Sequence, residues 1–461
     1  MQPNNLQPGK NPGPTPETPA RRAPAGGHFG TFADLAAHLE HLGLFRIRPE
    51  MGQLKETLAR LALPKPTAVI QVVGTNGKGS TSTFLASLAQ AHGLRVGLYT
   101  SPHFVSFRER IRINGVPVAE DALLEPANRI MQAGGEKLTY FEFVTVLAAL
   151  LFTPNPPAPI DIAVMETGLG GTWDAVTALP ADMVVFTPIG IDHCAYLGDT
   201  VTAIARDKAG AMRDGKPVLS APQTPDAGQA LQTVAAARGC PFRFIGTGEE
   251  LPARIRSGAI PLGLAGEHQL DNASLALAAW RALASDHGWQ ISEDKETAAL
   301  SSAFIPGRMQ FVPASARHGH PALLLDGAHN AHGMAALGKN LAKGHIAPAA
   351  VIFSCLEDKS PEEMASHLRV LATGPVFVPP IAHNPRAMDP ATLARAVGLS
   401  GTPVRDMAEA LACAKEHVDA YMPNEAAAHP ERHPVLVCGS LYMLGDFFAL
   451  RPDCLEPHSK G

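Results

Sequence analysis

The chain has 461 residues, 46% hydrophobic and 18% charged, with a formal net charge of −5. At roughly 150 residues per domain, that length suits about three domains or two large ones. The longest apolar run, Phe143 to Phe152, falls short of the ~20 residues of a membrane span, no secretory segment is expected at the N-terminus, and no basic excess points to nucleic acid or an anionic membrane as partner.

Residues 1–28 are rich in Pro and Gly and nearly free of large apolar side chains. Such a segment cannot bury enough surface to offset its ordering entropy, so a disordered tail is expected. From Phe29 the pattern is α/β. Ala68 to Val73 is a continuous apolar strand, followed by a glycine-rich turn and a helix from about Gly79 to His92. Val96–Tyr99, Ile160–Met165 and Met183–Thr187 read as further strands, apolar on both faces as in a parallel sheet. Helices are expected at Phe141–Phe152, Thr202–Arg213, Asp226–Arg238 and Leu270–Ala284. A turn at Pro306-Gly307 suits a hinge. Beyond it, strands at Gln310–Pro313, Ala322–Leu325, Ala349–Ser354, Val376–Val378 and Val435–Cys438 alternate with helices such as Ala331–Ala342 and Pro390–Val397. Alternation of this kind argues for a doubly wound sheet with its site at the strand C-termini. The six cysteines (194, 240, 355, 413, 438 and 454) form no C-x-x-C pair. Neither a disulfide framework nor a cysteine zinc site is expected, and ordinary thiols of a reduced cytoplasm are.

The strongest chemical signal is Val72-Val73-Gly74-Thr75-Asn76-Gly77-Lys78-Gly79-Ser80-Thr81. Phosphate oxygens need several N–H donors at close range; glycines let the backbone approach, and a helix N-terminus adds a favourable dipole. Lys78 suits β/γ-phosphates, and Ser80 or Thr81 can offer a hydroxyl to phosphate or Mg²⁺. The spacing is not the common G-x-x-x-x-G-K-[ST]. Glu166 ends an apolar strand, where a carboxylate can reach a metal beside a phosphate loop. His193 follows another strand at the same edge. Lys208 lies in a helix, where a lysine is ordinarily solvated. Asn272 suits a helix cap as readily as a ligand contact. Arg308 follows the Pro-Gly turn, and Asp326 ends a strand of the second block. Tyr140 and Phe141 are as compatible with core packing as with stacking on a flat ring.

Gly74-Thr75-Asn76-Gly77-Lys78-Gly79-Ser80 resembles the nucleotide loop of the Mur ligase superfamily, in its folate branch of folylpolyglutamate synthases and dihydrofolate synthases. Further blocks resemble that branch in the same order: Tyr99-Thr100-Ser101-Pro102-His103, Thr139-Tyr140-Phe141-Glu142, Glu166 to Gly171, Ile191-Asp192-His193, Ala205 to Gly210, Pro306-Gly307-Arg308, Leu325 to Asn330 and Cys438 to Tyr442. The resemblance covers about residues 29–450. It implies a P-loop, doubly wound parallel-sheet ATP-binding domain over 29–304, followed by a smaller Rossmann-like α/β domain over 305–461.

The implied activity is amide ligation driven by ATP, with L-glutamate added to dihydropteroate or to reduced folates through an acyl phosphate. The resemblance implies two Mg²⁺ sites held by Ser101, Glu166, His193 and a Lys208 carbamylated by CO₂, and it leaves a K⁺ requirement open. Thr75, Asn76, Gly77, Lys78, Gly79, Ser80, Thr81, Asn272, Arg308 and Asp326 would hold ATP. Leu42, Gly43, Thr139, Tyr140, Phe141, Glu142, Trp173, Asp174 and Ala175 would meet the pteroate or folate, and His329 and Asn330 the glutamate. His103 is expected to be structural or on the substrate side. The sequence departs from the family pattern at His41, Thr172 and Ala331. A cytoplasmic monomer acting on small molecules is expected. Two other readings were weighed. A peptidoglycan-type Mur ligase would need a UDP-sugar domain ahead of Gly74, for which too little chain is expected. A P-loop ATPase acting on a macromolecule is disfavoured by Glu166, by His193 and by the missing basic patch.

Overall fold

The computed structural model describes residues 28–457 apart from 44–49, 154–158, 247–253, 256, 358–360, 372–373, 383, 399–400, 423 and 425–427. The expected tail over 1–27 and the segment Leu44-Phe45-Arg46 lie outside the described residues.

Two sheets organise the chain. The first contains β1 (Ala68–Val73), β2 (Val96–Tyr99), β3 (Ile111–Ile113), β4 (Val116–Pro117), β5 (Ile162–Glu166), β6 (Met183–Phe186), β7 (Val218–Ser220) and β8 (Phe242–Phe244), in the order β4-β3-β2-β5-β1-β6-β7-β8. From β2 to β8 the neighbours run parallel; β3 and β4 add an antiparallel edge. Every residue of β1, β2, β5 and β6 is buried, because helices cover both faces and leave no strand a wet side. Ala68, Ile70 and Val72 join Trp280 and the helix Lys78–Ala91 in one core, while Val69 points to the opposite core around Phe143. This is the period-two alternation of a strand.

The second sheet contains β9 (Gln310–Val312), β10 (Leu323–Leu325), β11 (Ala350–Phe353), β12 (Val376–Val378), β13 (Gly401–Pro403) and β14 (Val435–Cys438), in the order β13-β12-β11-β14-β10-β9. Only β9 pairs antiparallel there. The fold class is therefore the expected one, with an antiparallel edge on each sheet that apolar content alone does not distinguish from a parallel strand. The helix expected at Thr202–Arg213 ends earlier, as Val201–Ala209.

One polar residue stands inside the central strand. Gln71 is 1% exposed, and it donates to Thr167 Oγ1 (3.1 Å) and Thr177 Oγ1 (2.8 Å). Its own oxygen accepts from Arg213 Nη2 at 3.3 Å. Arg213 also donates to the carbonyls of Ala211, Thr177 and Leu179 at 2.6, 2.6 and 3.0 Å. One planar side chain thus satisfies four acceptors under the sheet. Arg213→Ala strands those oxygens and is expected to cost about 2–4 kcal/mol of folding stability, read as a lowered denaturant midpoint at unchanged m-value. An unshifted midpoint would show that water replaces the guanidinium.

Candidate active site

The chain passes from β1 outward across β5 to β2, returns to β5, and then goes to β6 on the other side of β1. The loop after β1 therefore sits where the strand order reverses, the position at which open α/β sheets bind ligands. Its glycines are obligatory. A methyl on Gly74 would stand 1.9 Å from Thr187 Oγ1, and one on Gly77 would stand 2.3 Å from Asn272 Oδ1. Gly77 has φ 88 and precedes the first turn of the helix Lys78–Ala91, a left-handed conformation that glycine adopts without a Cβ clash. The loop is tied to the far side of the site: Thr75 and Asn76 donate their N–H groups to Pro188 O at 3.0 and 3.3 Å, and Thr75 Oγ1 and Gly190 exchange bonds of 3.1 Å.

Around this loop lies a cavity of about 270 Å³. Most of the expected nucleotide and metal residues line it: Thr75, Asn76, Gly77, Lys78, Gly79, Ser80, Ser101, Glu166, His193 and Asn272 from the first sheet's side. Arg308, Asp326, His329 and Asn330 come from the second sheet's side. Glu166 ends β5 and is 3% exposed. Its Oε2 accepts from Ser101 N at 3.0 Å, and a methyl on Gly79 would lie 3.6 Å from the same oxygen. Burial pushes its carboxyl above the usual range, while Lys78, the Ser101 N–H, Arg308 and Arg110 pull it back. Lys78 Nζ donates to Gly74 O and Thr75 O, both at 3.2 Å. Thr81 Oγ1 and Ser82 Oγ are buried with no hydrogen-bond partner. The glycine-lined loop at a helix N-terminus fits a bound phosphate chain, whereas Thr81, expected to join it, is fully buried and does not line the cavity.

Asp326 ends β10. Its two oxygens accept from Met309 N (3.0 Å) and Ala328 N (2.9 Å), and burial raises its pKa against the opposing pull of Arg308. His329 shares 2.8 Å with Gly327 O through Nδ1. Asn330 caps the helix Ala331–Lys343, its Oδ1 accepting from Gly333 N at 2.7 Å. Asn272 is not a cap. It lies one turn inside the helix His268–His287, is 3% exposed, and donates to Gln269 Oε1 at 2.9 Å.

Lys208 departs most from a solvated lysine. It is 4% exposed and donates to Gly74 O at 2.9 Å, beneath the loop rather than in the cavity wall. Burial, then Lys78, lowers its pKa to about 7, with Asp207, Asp174 and Asp192 opposing. His193 adopts φ 53 at the start of the short helix Cys194–Leu197, 3.8 Å from Asp192 Oδ2. Among the described residues no three His, Cys, Asp or Glu side chains cluster as a metal cage. This arrangement suits Mg²⁺, which commonly takes one or two carboxylates plus substrate phosphates and water.

The residues expected to contact a pterin are placed differently. Thr139 and Glu142 form a reciprocal capping box on the helix Tyr140–Leu151, Thr139 N donating to Glu142 Oε2 at 2.7 Å. Asp174 is buried, with a pKa raised to about 6 chiefly by burial. It accepts from the N–H groups of Gly168, Leu169 and Val176, each at 2.9 Å. It therefore holds the loop after β5 and has no oxygen turned to a ligand. Ala175 is buried beside it, Trp173 is 56% exposed, and none of these lines the cavity. Leu42 ends the helix Phe32–Leu42, and Gly43 caps it with φ 78. Tyr140 lies under the Arg110 guanidinium, 5.4 Å from ring centroid to Cζ. Phe141 does not line the cavity itself but packs against Gly168, which does: a methyl on that glycine would meet its ring at 2.4 Å. His103 accepts from Arg110 Nε at 2.8 Å, and burial with Arg110 holds its pKa down to about 3.

Sequence reasoning gave no role to His268, Gln269, Asp271 and His332, which line the same cavity. His268 and Gln269 stand four and three residues before Asn272, on the helix face that the 3.6 period assigns to it, and that spacing could have flagged them. His332 had no such signal, because its partner is remote in sequence.

A glycine-rich loop at the switch point, a buried strand-end carboxylate beside it and a second α/β lobe completing the wall define a P-loop enzyme. Comparison with known proteins specifies the class. Residues 307–441 match the family described as Mur ligase, glutamate ligase domain. The Bacillus subtilis dihydrofolate synthase/folylpolyglutamate synthase is 32% identical over 369 residues, covering 75% of this chain and 84% of its own. Its Escherichia coli counterpart is 36% identical over 310 residues, covering 65% and 70%. A solved structure of Escherichia coli FolC in complex with DHPP and ADP superposes with a TM-score of 0.77 at 29% identity, over 92% of this chain and 98% of that one. The Yersinia pestis bifunctional folylpolyglutamate synthase/dihydrofolate synthase, complexed with AMPPNP and a Mn ion, gives 0.75 at 28% identity over 95% and 100%. The fold is that of an ATP-dependent ligase of the Mur type. The chain belongs to the dihydrofolate synthase/folylpolyglutamate synthase family.

Proposed function

We propose that this chain joins the amine of L-glutamate to the carboxylate of dihydropteroate, of a reduced folate, or of both, at the expense of ATP. The observation that carries the reading is the convergence of Lys78 and Glu166 with Arg308 and Asp326 on one cavity, built from two sheets. A carboxylate is a poor electrophile. Attack of its oxygen on the γ-phosphorus releases ADP and forms an acyl phosphate. Attack of the glutamate nitrogen on the acyl carbon then expels phosphate, and the nitrogen loses a proton. No side-chain nucleophile is required. Lys78, freed from the loop carbonyls, and the N-terminus of the helix Lys78–Ala91 neutralise charge on the phosphates, and Arg308 does so from the other side. Asp326 meets the ribose or helps clamp the nucleotide, and Asn272 meets the base side.

Mg²⁺ would be held by Glu166 and Ser101, with His193 and a carbamylated Lys208 at a second position; it would act as a Lewis acid on the phosphoryl oxygens. The pKa of Lys208 supports that role. At neutral pH a large share of its amine is uncharged, and only the uncharged amine attacks the carbon of CO₂, forming the N–C bond with loss of a proton. The product is an anionic oxygen ligand in place of a buried cation. The acid substrate enters along Phe141, with Tyr140 and Arg110 behind it. Thr139, Glu142, Asp174 and Ala175 shape that wall without touching the substrate. The segment 29–304 acts as the ATP-binding unit and 305–461 as the glutamate-ligase unit. No helix among the described residues is long and apolar enough to cross a membrane, and the six cysteines are free thiols; the setting proposed for the reaction is a monomer in a reducing cytoplasm.

The test offers purified chain ATP and glutamate with dihydropteroate or tetrahydrofolate separately. ADP and a glutamylated product are expected only when acid and amino acid are both present. Equal ADP release without glutamate would refute the reading.

A further inference from the structure

Six side chains close a polar circuit around the cavity, and four of them, His332, Asn340, His268 and Gln269, lie outside the expected site. The helix Ala331–Lys343 of the second lobe presents His332, Ala336 and Asn340 at four-residue spacing to the cavity wall. At one end, Asn76 Nδ2 of the nucleotide loop donates to His332 Nδ1 at 3.2 Å. Two turns on, Asn340 is 8% exposed. Its Oδ1 accepts from Glu267 N at 2.9 Å, and its Nδ2 lies 3.4 Å from His268 Nδ1. From there the chain of contacts returns to the loop. Gln269 Nε2 lies 3.1 Å from His268 Nε2; because both polar neighbours of this ring are amide nitrogens, the neutral imidazole accepts a hydrogen bond from one and only packs against the other, and Gln269 Oε1 accepts from Asn272 Nδ2 at 2.9 Å. Asn272 Oδ1 occupies the space that a side chain at Gly77 would need. Gly266 is held to glycine by the same junction, since its φ is 117 and a methyl there would stand 2.9 Å from Asn340 Nδ2.

We propose that His332 and Asn340 are positioning residues: one helix of the second lobe grips the nucleotide loop directly through His332 and indirectly through Asn340, His268, Gln269 and Asn272, so that seating of that lobe sets the shape of the loop. The proposal deepens the ligase reading and rests on it for its consequence in catalysis. Its physical content is independent of the acid substrate. Neither residue carries a formal charge in the circuit, so the grip is directional rather than electrostatic, and it resists salt. A helix held at two points about 12 Å apart cannot rock about either one alone. Loss of either contact releases the same motion.

That shared motion gives a signature that local contacts lack. Sites more than about 7–10 Å apart normally contribute additively. Here MgADP affinity, measured by calorimetry on the full chain, is expected to fall about tenfold in His332→Ala and about tenfold in Asn340→Ala, the size of one net hydrogen bond. The double variant is expected to be no weaker than the weaker single. His332→Asn, whose amide oxygen replaces Nδ1 as acceptor, is expected to restore binding to within about threefold. If N340A fails to fold, N340L replaces it in the cycle with the same expectation, because its similar-sized side chain fills the space and carries no polar atom facing His268 or Glu267 N–H. Additive losses, unchanged affinity in either single variant, or an H332N variant as weak as H332A would overturn the proposal. Because the probe is MgADP alone, a wrong assignment of the acid substrate would leave this result untouched, whereas the substrate assay above would fail.

Discussion

Glu166→Gln is expected to lower the ligation rate by about 10³-fold while the protein stays folded. The substitution is nearly isosteric, and the amide oxygen still accepts from Ser101 N, the bond now made at 3.0 Å. What disappears is a negative charge in a site where burial already works against it. Removing that charge relieves a desolvation cost, so the melting temperature is expected to hold or rise by a few degrees. It also removes the one wholly buried carboxylate beside the first turn of the nucleotide helix, and with it the anchor for a divalent ion. Single-turnover formation of the amide is the measurement. A variant that ligates within a few-fold of the native rate would show that Glu166 is only a strand-end carboxylate.

The second large effect belongs to Lys208. Its amine, with a pKa near 7, loses its proton at a lower pH than an ordinary lysine. The uncharged fraction therefore rises from a minority at pH 6 to a majority at pH 8. If the carbamate forms there, activity in CO₂-depleted buffer is expected to fall and to recover on adding bicarbonate, with recovery increasing through pH 7. Lys208→Gln removes the nucleophilic amine without burying a fixed charge, and is expected to lose about 10²–10³-fold in rate and all response to bicarbonate. Arginine at this position would add steric and charge effects of its own, so glutamine is the cleaner variant. Near-native activity in Lys208→Gln, or a native enzyme indifferent to CO₂, would end the carbamate reading.

How much of this was legible in the sequence varied with the range of the interactions. β1, β2 and β6 and the loop after β1 were readable because a fully buried parallel strand is an unbroken apolar run, and a phosphate loop needs glycine where the backbone must approach. Glu166 was readable as the polar end of such a run. β7, β8 and β13 were not: their sequences Val-Leu-Ser, Phe-Arg-Phe and Gly-Thr-Pro lack the unbroken apolar run that made the equally short β12 readable, and they are held by pairing with neighbours far along the chain. β9 was legible as a strand but not in direction, since its antiparallel register against β10 is a tertiary choice. Thr139 and Glu142 carried a second signal that went unread: Thr-x-x-Glu before an apolar helix is a capping box, and both side chains form it. Asp174 was expected at the substrate from the resemblance alone, and its oxygens accept from backbone N–H groups on both sides of it, those of Gly168, Leu169 and Val176. The burial of Lys208 could not be read from its helix, whose other polar residues suggest a wet face. It follows from the approach of the Gly74 carbonyl, which is 134 residues away in sequence. The contacts of Asn340 and His332 are of the same long-range kind.

The account stands on transfer of the terminal phosphoryl group of ATP to an acid oxygen in the cavity between Lys78, Glu166 and Arg308. Oxygen-18 in the carboxylate of the acid substrate tests this most directly. The account predicts that one labelled oxygen leaves with the inorganic phosphate for each amide bond formed. Amide formation with unlabelled phosphate would contradict it.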